Sequence, residues 1–276
     1  MRISGRTYAV ALLGLAATAL IHTLVQLEVF GEWGTLALSD FGSVAVVTAA
    51  AGVVMWSALG FAPGTPERRT WLLVAAGVGA FALGDLVWSY IEVVQRQEVP
   101  YPGLPDVFYT LQVLILGPAL FLGGMAYRDR VDVRGPLLLT IVATLSLVAM
   151  VFVGFLWPYI IADPEVELFE AVFNVFYVVT DIVLLLGAAI FTGLVTTSAR
   201  LGTQAHAWWF VVAGAAVLTL TDTAFAWITA AGTYEAGALV DYGWLLAHVL
   251  MAIGASLARD GVDAAAAKRA VPAARP

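Results

Sequence analysis

The amino-acid sequence predicts an all-α, polytopic membrane protein with about eight transmembrane helices, arranged as two parallel four-helix repeats with cytoplasmic N- and C-termini. Three observations predict this fold class: the composition, the number of long apolar segments, and the alternation of basic residues along the chain. Hydrophobic residues make up 61% of the 276 residues and charged residues only 12%, and the mean hydropathy is +0.91. A water-soluble domain carries about 25% charged residues. A bilayer must therefore solvate much of this surface.

Eight segments reach the length of about 20 mostly apolar residues that a membrane-spanning helix needs. Short turns with Gly, Pro or charged residues separate them. The first segment is long and is followed by seven others, so we interpret it as a retained helix rather than a signal peptide. The segments are Thr7–Phe30, Trp33–Phe61, Arg69–Val94, Leu104–Tyr127, Pro136–Ile161, Leu168–Thr197, Ala205–Ala230 and Gly237–Leu257.

The basic residues predict the orientation, because Lys and Arg collect in the cytoplasmic loops of membrane proteins. With the N-terminus inside and eight spans, twelve of the thirteen basic residues fall on the inner side and only Arg96 falls outside. A different helix count would scramble this alternation. The predicted location is the cell membrane, with multiple passes. The inner basic residues are Arg2, Arg6, Arg68, Arg69, Arg128, Arg130, Arg134, Arg200, Arg259, Lys268, Arg269 and Arg275.

Composition also excludes several classes of function. The chain has no cysteine, which excludes disulfides, thiolate metal sites and cysteine nucleophiles. The only lysine, Lys268, lies in the polar tail, which excludes a retinal Schiff base. The formal net charge of −7 argues against nucleic acid as a partner. We expect no cofactor, and the bilayer as the first partner.

Two stretches of the chain read alike and define the repeat. Trp71 precedes Asp85 by fourteen residues, and Trp208 precedes Asp222 by the same fourteen. A second aspartate follows in each stretch, Asp106 in the first and Asp241 in the second. An earlier aspartate occupies a comparable position in each half, Asp40 in the first and Asp181 in the second. We place the first repeat at 1–134, the second at 135–259, and a disordered cytoplasmic tail at 260–276, which is rich in Ala, Pro and polar residues.

The repeated aspartates mark a candidate site. Since both halves begin inside, Asp85 and Asp222 lie about 21 Å from the inner end of a core about 30 Å thick, which is roughly 9 Å beneath the outer boundary. A carboxylate inside a span costs about 2.5–3.5 kcal/mol, so it needs a function or a protein partner. Asp106 and Asp241 begin the fourth helix of each half, where they either cap the helix or take part in the site.

Aromatic residues accompany these acids. Asp85, Trp88 and Glu92 are spaced i, i+3, i+7 and share one helix face, which should point into the bundle. We expect either two outward-opening pockets or one joint pocket, with acidic floors and aromatic walls. Because Trp and Tyr also collect at membrane interfaces, an interfacial belt is the alternative reading of the aromatic residues. The candidate aromatic wall is Trp88, Tyr90, Tyr101, Tyr109, Trp227 and Trp244.

The three histidines favour packing over metal binding. His22 and His248 fall inside predicted spans and His206 lies near the inner surface, and no HxxxH or HExxH spacing is present. A lone histidine in a membrane helix is more often hydrogen-bonded within the bundle than a ligand. We therefore predict no metal site.

One motif resembles a known family. The run Gly84-Asp-Leu-Val-Trp88-Ser-Tyr90-Ile-Glu92, followed by Pro100-Tyr-Pro-Gly-Leu-Pro-Asp106-Val-Phe-Tyr109, resembles the integral-membrane N-terminal sensor region of bacterial and archaeal GGDEF and histidine-kinase proteins. The resemblance covers about forty residues. It implies a multi-helix receptor for an extracytoplasmic or membrane signal. No output domain follows the last helix here, so the resemblance implies signalling through a cytoplasmic or membrane partner protein.

A second resemblance is looser. Gly84-Asp85 and Thr221-Asp222 in the third helix of each half, with Ala247-His248 in the last, look like the eight-helix YhhN/lysoplasmalogenase family. Those enzymes cleave a lysophospholipid vinyl ether with paired intramembrane aspartates. The resemblance implies that Asp85 and Asp222 would be the catalytic acid–base pair. Gln112 stands near where the first half's histidine is expected.

The leading functional hypothesis is a receptor or binding protein that takes a small ligand, a cation or a lipid headgroup from the outer side. An aspartate-dependent lysophospholipid hydrolase, a proton- or cation-coupled transporter and a structural role stay open as alternatives. The candidate ligand-binding residues are Asp40, Asp85, Trp88, Tyr90, Glu92, Asp106, Tyr109, Asp181, Asp222, Trp227, Asp241 and Trp244.

Overall fold

A computed structural model describes residues 3–127, 142, 145–146, 148–162, 167–197, 203–230, 233–234 and 237–270. These residues are helical or lie in turns, and none of them forms a strand. Seven α-helices are described: α1 (Gly5–Gln26), α2 (Gly31–Ala58), α3 (Pro66–Ser89), α4 (Leu104–Tyr127), α5 (Leu168–Thr197), α6 (Thr203–Ala230) and α7 (Asp241–Ala270).

Local sequence determines where several helices begin. The Ser4 hydroxyl accepts a hydrogen bond from the Thr7 N–H and caps α1, and the Thr65 hydroxyl does the same for α3 through the Arg68 N–H. Pro66 occupies the first position of α3, where the missing N–H costs nothing. These are sequence-encoded start signals, and they lie just outside the predicted spans: Ser4 precedes the first, and Thr65 and Pro66 lie between the second and the third.

The protein is an α-helical membrane protein. Five helices in the described part of the chain are long and apolar enough to cross a membrane: Gly5–Gln26, Gly31–Ala58, Pro66–Val94, His206–Thr229 and Asp241–Arg269. The predicted spans Leu104–Tyr127 and Leu168–Thr197 coincide with α4 and α5. Much of the predicted span Pro136–Ile161 lies outside the described residues.

Two π-helical segments in the described part of the chain interrupt the α-helical pattern. Tyr90–Val94 continues α3, and Phe152–Ile161 precedes α5 and contains Pro158. A π-helical turn changes the direction in which the following side chains point, because it adds one residue to a turn. The first segment therefore sets the direction of Glu92 relative to the residues of α3.

Trp71 and Trp208 lie at the centre of the helix bundle. Their rings stack with centroids 4.7 Å apart and an interplanar angle of 22°, and both side chains are buried. The pair belongs to one continuous apolar core to which buried residues of α2 to α7 contribute. This core packs the helices together at one end of the bundle, and the polar residues of the same helices lie towards the other end.

The sequence prediction of a disordered tail from residue 260 is wrong for residues 260–270, which continue α7 to Ala270. Asp260 is held by α1: it accepts hydrogen bonds from the Ser4 N–H at 3.0 Å and from the Thr7 hydroxyl at 2.8 Å. The following alanines favour the helix, and Lys268 and Arg269 lie in its last turn, where cations interact well with the helix dipole. The predicted tail beyond residue 270 lies outside the described residues.

Candidate functional site

One cavity of about 150 Å³ lies among six helices. Tyr101 and Tyr234, from the loops that follow α3 and α6, complete its wall, so the cavity lies at the end of the bundle that carries these loops. Helices α2 to α7 each place one aspartate in the wall: Asp40, Asp85, Asp106, Asp181, Asp222 and Asp241. The structure therefore contains one joint pocket in place of two separate ones.

Asp85 is held by neutral donors from two neighbouring helices. The Ser43 hydroxyl of α2 donates to its Oδ2 at 2.6 Å, and the Tyr109 hydroxyl of α4 donates to its Oδ1 at 3.0 Å. The Tyr109 ring packs against Phe81, with centroids 4.9 Å apart. Among the described residues the carboxyl group is thus fixed in position by neutral donors alone.

Asp222 is held in a similar way in the second half of the chain. The indole Nε1 of Trp244 donates to its Oδ1 at 2.6 Å. Trp244 follows Asp241 by three residues, as Tyr109 follows Asp106 by three, so corresponding positions supply the donor in both halves. The carboxyl group of Asp222 also faces that of Asp181 within hydrogen-bonding range.

Asp106 and Asp241 each accept a hydrogen bond from a glycine N–H in the preceding turn, at 2.7 Å from Gly103 and 2.7 Å from Gly237. Each carboxyl group thus closes the turn that precedes its helix. Each also accepts from a tyrosine hydroxyl: Tyr177 at 3.1 Å and Tyr234 at 3.2 Å, respectively. Burial, and next the carboxyl group of Asp241, raise the pKa of the Tyr234 hydroxyl above its usual range, so it stays a donor.

Asp40, Trp88 and Glu92 form a further polar group of the site. The Trp88 indole Nε1 donates to Glu92 Oε2 at 2.6 Å. Glu92 in turn lies within hydrogen-bonding range of Asp40. The i, i+3, i+7 face predicted for this helix therefore does point into the bundle, although Glu92 reaches the cavity only through these two lining residues.

Nine of the twelve candidate residues line the cavity, and Glu92, Tyr90 and Trp227 do not. The side chains of Tyr90 and Trp227 are about half exposed, at 52% and 51%. Each follows an intramembrane aspartate by five residues, which rotates it about 140° around the helix from that aspartate. Their helical positions therefore direct them away from the cavity that Asp85 and Asp222 face.

Gln112 and His248 form a buried polar contact across the bundle. Gln112 Nε2 and His248 Nε2 are 2.7 Å apart, and His248 Nδ1 lies 2.7 Å from the carbonyl oxygen of Trp244. Since a carbonyl only accepts, Nδ1 carries the proton, and Nε2 accepts from Gln112. His22 packs edge-on against Tyr242. The structure thus gives His248 a hydrogen-bonded packing role, and Gln112 also lines the cavity.

Sequence reasoning missed Asn174 and Tyr177, both on α5. Asn174 Oδ1 accepts from the Tyr101 hydroxyl at 2.8 Å, and the Tyr177 hydroxyl contacts Asp106. These contacts connect the polar residues of α4 and of the preceding loop to the second half of the chain. A signal was available, because Asn174, Tyr177 and Asp181 are spaced i, i+3, i+7 and share a helix face.

The charges of the cavity wall are all acidic. Among the described residues no Lys or Arg side chain lines the cavity. No three acidic or histidine side chains in the described part of the chain lie close enough together to hold a metal ion. The carboxyl groups therefore surround the cavity without converging on one point.

Apolar packing closes the opposite side of the cavity. One turn beyond Gln112, Asp181 and His248 come Leu116, Leu184 and Met251, which enclose a void of only about 10 Å³. A cavity needs about 10–15 Å³ and polar partners to hold one water. This layer therefore separates the acidic cavity from the far end of the bundle.

The chain matches no protein-family model, and no curated protein and no solved structure matches it. The two family resemblances of the sequence stay expectations, and the geometry of the cavity carries the functional argument.

Proposed function

We propose that this protein is a sensor-like membrane receptor that binds a small, positively charged ligand in the acidic cavity. One observation carries the proposal: six aspartates from six helices line a single cavity that no described Lys or Arg side chain neutralises. Carboxylates taken out of water need a compensating charge or a full set of donors. A cationic ligand supplies that charge.

The shape of the wall supports ligand binding over a purely structural role. The volume of the cavity, about 150 Å³, is many times the volume that one water needs. Aromatic rings lie beside the carboxyl groups, since Trp244 and Tyr109 donate directly to Asp222 and Asp85. Carboxylates together with aromatic faces are the usual receptors for ammonium groups. A free cation and the cationic headgroup of a lipid share this chemistry.

The direction of access follows from the proposed topology. We propose that the protein lies in the plasma membrane, with eight transmembrane helices and both termini in the cytoplasm. This topology places the loops that carry Tyr101 and Tyr234 on the outer side of the membrane. Because the chain has no cysteine, single-cysteine variants test this cleanly. We expect a membrane-impermeant maleimide to label Glu98→Cys in intact cells and Ala62→Cys only after permeabilisation. The reverse labelling would contradict the orientation.

Two parallel four-helix repeats are part of the same proposal. The matched residues Trp71 and Trp208 stack on each other, as expected for residues beside an axis that relates two halves. The residue three after Asp106 or Asp241 donates to the aspartate of the neighbouring third helix in both halves. A parallel repeat with this axis along the membrane normal would bring both sets of acids to one side of the membrane.

Ligand binding is tested with a double variant, Asp85→Asn with Asp222→Asn, in purified protein in nanodiscs. Asparagine keeps the shape and still accepts the hydrogen bonds from Tyr109 and Trp244, so the fold should persist. We expect the affinity for tetramethylammonium and for simple primary amines to fall at least tenfold by calorimetry. Glu98→Gln, which removes an exposed carboxylate outside the cavity, is the matched control. Unchanged binding in the double variant would refute the proposal.

A hydrolase is the second candidate, and the contact between Asp181 and Asp222 favours it. Two carboxyl groups in contact are the arrangement in which one acts as acid and the other as base. The pair differs from the Asp85 and Asp222 pair that the lysoplasmalogenase resemblance implies. Purified protein incubated with lysophospholipids should then release an aldehyde or a fatty acid, and no turnover would end this candidate.

A proton- or cation-coupled transporter has less support. The apolar layer of Leu116, Leu184 and Met251 separates the cavity from the far end of the bundle, so the described residues give a cation no continuous path past this layer. A receptor needs no such path. Flux driven by a pH or ion gradient in proteoliposomes would favour transport instead. For a receptor we propose a cytoplasmic or membrane protein as the signalling partner.

A further inference from the structure

We infer that the cavity is built for a linear molecule with an ammonium group at each end, a diammonium ligand, because five of the six aspartates that line it form two separate sets. This inference rests on the proposed function and specifies the class of ligand. The first set is Asp40, Asp85 and Asp241, with Glu92 behind them, and the second set is Asp181 and Asp222. Asp106, which accepts from the Gly103 N–H and the Tyr177 hydroxyl, belongs to neither set.

The sets are defined by which carboxyl groups lie close enough to affect one another. Asp40 lies within hydrogen-bonding range of Glu92, and it is near enough to Asp85 and Asp241 for their negative charges to repel its own. Asp241 interacts with Glu92 as well. Asp222 has its contact with Asp181 instead. Both sets reach the same cavity, where apolar side chains such as Phe81, Leu218 and Leu245 contribute the rest of the wall.

Asp181 points independently to a missing ligand. Its side chain is almost wholly buried, at 1% exposure, and it lines the cavity. The contact that the structure gives it is the carboxyl group of Asp222, and neither of its oxygens accepts a hydrogen bond from an amide, indole or hydroxyl group of the described residues. Buried carboxyl groups almost always have donors. An ammonium group in the cavity would supply up to three N–H donors to this oxygen pair.

Each set also presents an aromatic ring next to a carboxyl group. Trp88 donates to Glu92 in the first set, and Trp244 donates to Asp222 in the second. A bound ammonium can therefore contact a carboxylate and an indole ring at either end. A bare metal ion fits less well, because no three acidic or histidine ligands in the described residues converge. Two cationic ends joined by methylene groups match two acidic sets and an apolar wall.

The test compares 1,4-diaminobutane and 1,5-diaminopentane with n-butylamine, all protonated at neutral pH, in nanodisc-embedded full-length protein. Binding is measured by calorimetry and by the fluorescence of the cavity tryptophans. We expect the better diamine to bind at least tenfold tighter than n-butylamine, because only a diamine occupies both sets at once.

Variants in each set separate this inference from a general loss of structure. Asp181→Asn and Asp40→Asn each remove one carboxylate from a different set, so one variant suffices if the other fails to fold. We expect each to bring the ratio of diamine to monoamine affinity close to one, whereas Glu98→Gln should keep the wild-type ratio. A ratio is insensitive to the fraction of protein that is folded.

The outcomes distinguish the inference from the proposed function. Equal affinity of the wild type for diamines and n-butylamine would overturn the diammonium inference and leave a receptor for single cations. Binding of Na⁺ or Ca²⁺ without binding of amines would overturn it in the same way. If no cation of any kind binds, the inference and the proposed function fail together.

Discussion

Gly84→Ala is the substitution whose effect the structure specifies most sharply. A Cβ at Gly84 would overlap the ring of Tyr109, whereas a Cβ at Gly79, on the same helix, would meet nothing within 4 Å. The Tyr109 ring cannot shift freely, because it packs on Phe81 and its hydroxyl donates to Asp85 at 3.0 Å. Because Gly84 has no side chain, the Tyr109 ring can approach the backbone of α3 closely enough for its hydroxyl to reach Asp85.

The expected magnitude combines three effects. Overpacking a buried contact costs about 1–3 kcal/mol. Displacing Tyr109 also loses a hydrogen bond to a carboxyl group, worth about 1.5–3 kcal/mol. Against these, alanine favours a helix interior by roughly 1 kcal/mol relative to glycine. We expect Gly84→Ala to lower the free energy of unfolding by about 2–5 kcal/mol and Gly79→Ala to raise it by up to about 1 kcal/mol.

The assay is unfolding of the purified protein in mixed micelles by titration with a denaturing detergent. Tyr109→Ala removes the ring that the added Cβ would meet, so the double variant Gly84→Ala with Tyr109→Ala should show a coupling energy of at least about 1 kcal/mol. The reasoning is refuted if Gly84→Ala is as stable as Gly79→Ala, or if the substitutions of Gly84 and Tyr109 are additive.

Further substitutions test the packing and the polar contacts. Trp208→Ala should cost about 3–5 kcal/mol of unfolding free energy because it empties a buried, stacked position, whereas Trp209→Ala, at a side chain 51% exposed, should cost far less. Asp260→Ala should cost about 2 kcal/mol or more because it removes the acceptor of two hydrogen bonds from α1, and Asp263→Ala, at a surface ion pair, under about 1 kcal/mol. Gln112→Leu should cost about 1–3 kcal/mol because His248 Nε2 loses its donor. Equal effects within either pair, or a neutral Gln112→Leu, would contradict these assignments; each is measured by the same unfolding titration.

Much of the helical framework could be predicted from the sequence because apolar length and turn residues are local properties. The spans Leu104–Tyr127 and Leu168–Thr197 coincide with helices in the structure. The extension of α7 to Ala270 could not be predicted in this way. Its anchor, the contact of Asp260 with Ser4 and Thr7, joins residues more than 250 positions apart.

The site was predictable to the extent that buried charge is conspicuous in an apolar sequence. Six aspartates stand out, and all six line the cavity. Tyr90 and Trp227 were candidates because of their residue type, although their five-residue offset from Asp85 and Asp222 already directs them elsewhere. The pairing of Asp181 with Asp222 depends on how α5 packs against α6, which no local pattern specifies.

The two ends of the bundle treat acids differently, and this contrast is the strongest physical argument for an external cation. Away from the cavity, Asp260 and Asp263 both pair with the arginine side chain of Arg6, and Arg259 adds a second partner to Asp263 at 3.0 Å. In the cavity the donors that the described residues give to the carboxyl groups are neutral hydroxyl, indole and glycine N–H groups. Neutral donors fix the position of a carboxyl group without cancelling its charge. Under the proposed function the wall is organised before the ligand arrives, so binding would require little rearrangement, and the ligand would supply the positive charge that the described residues of the wall lack.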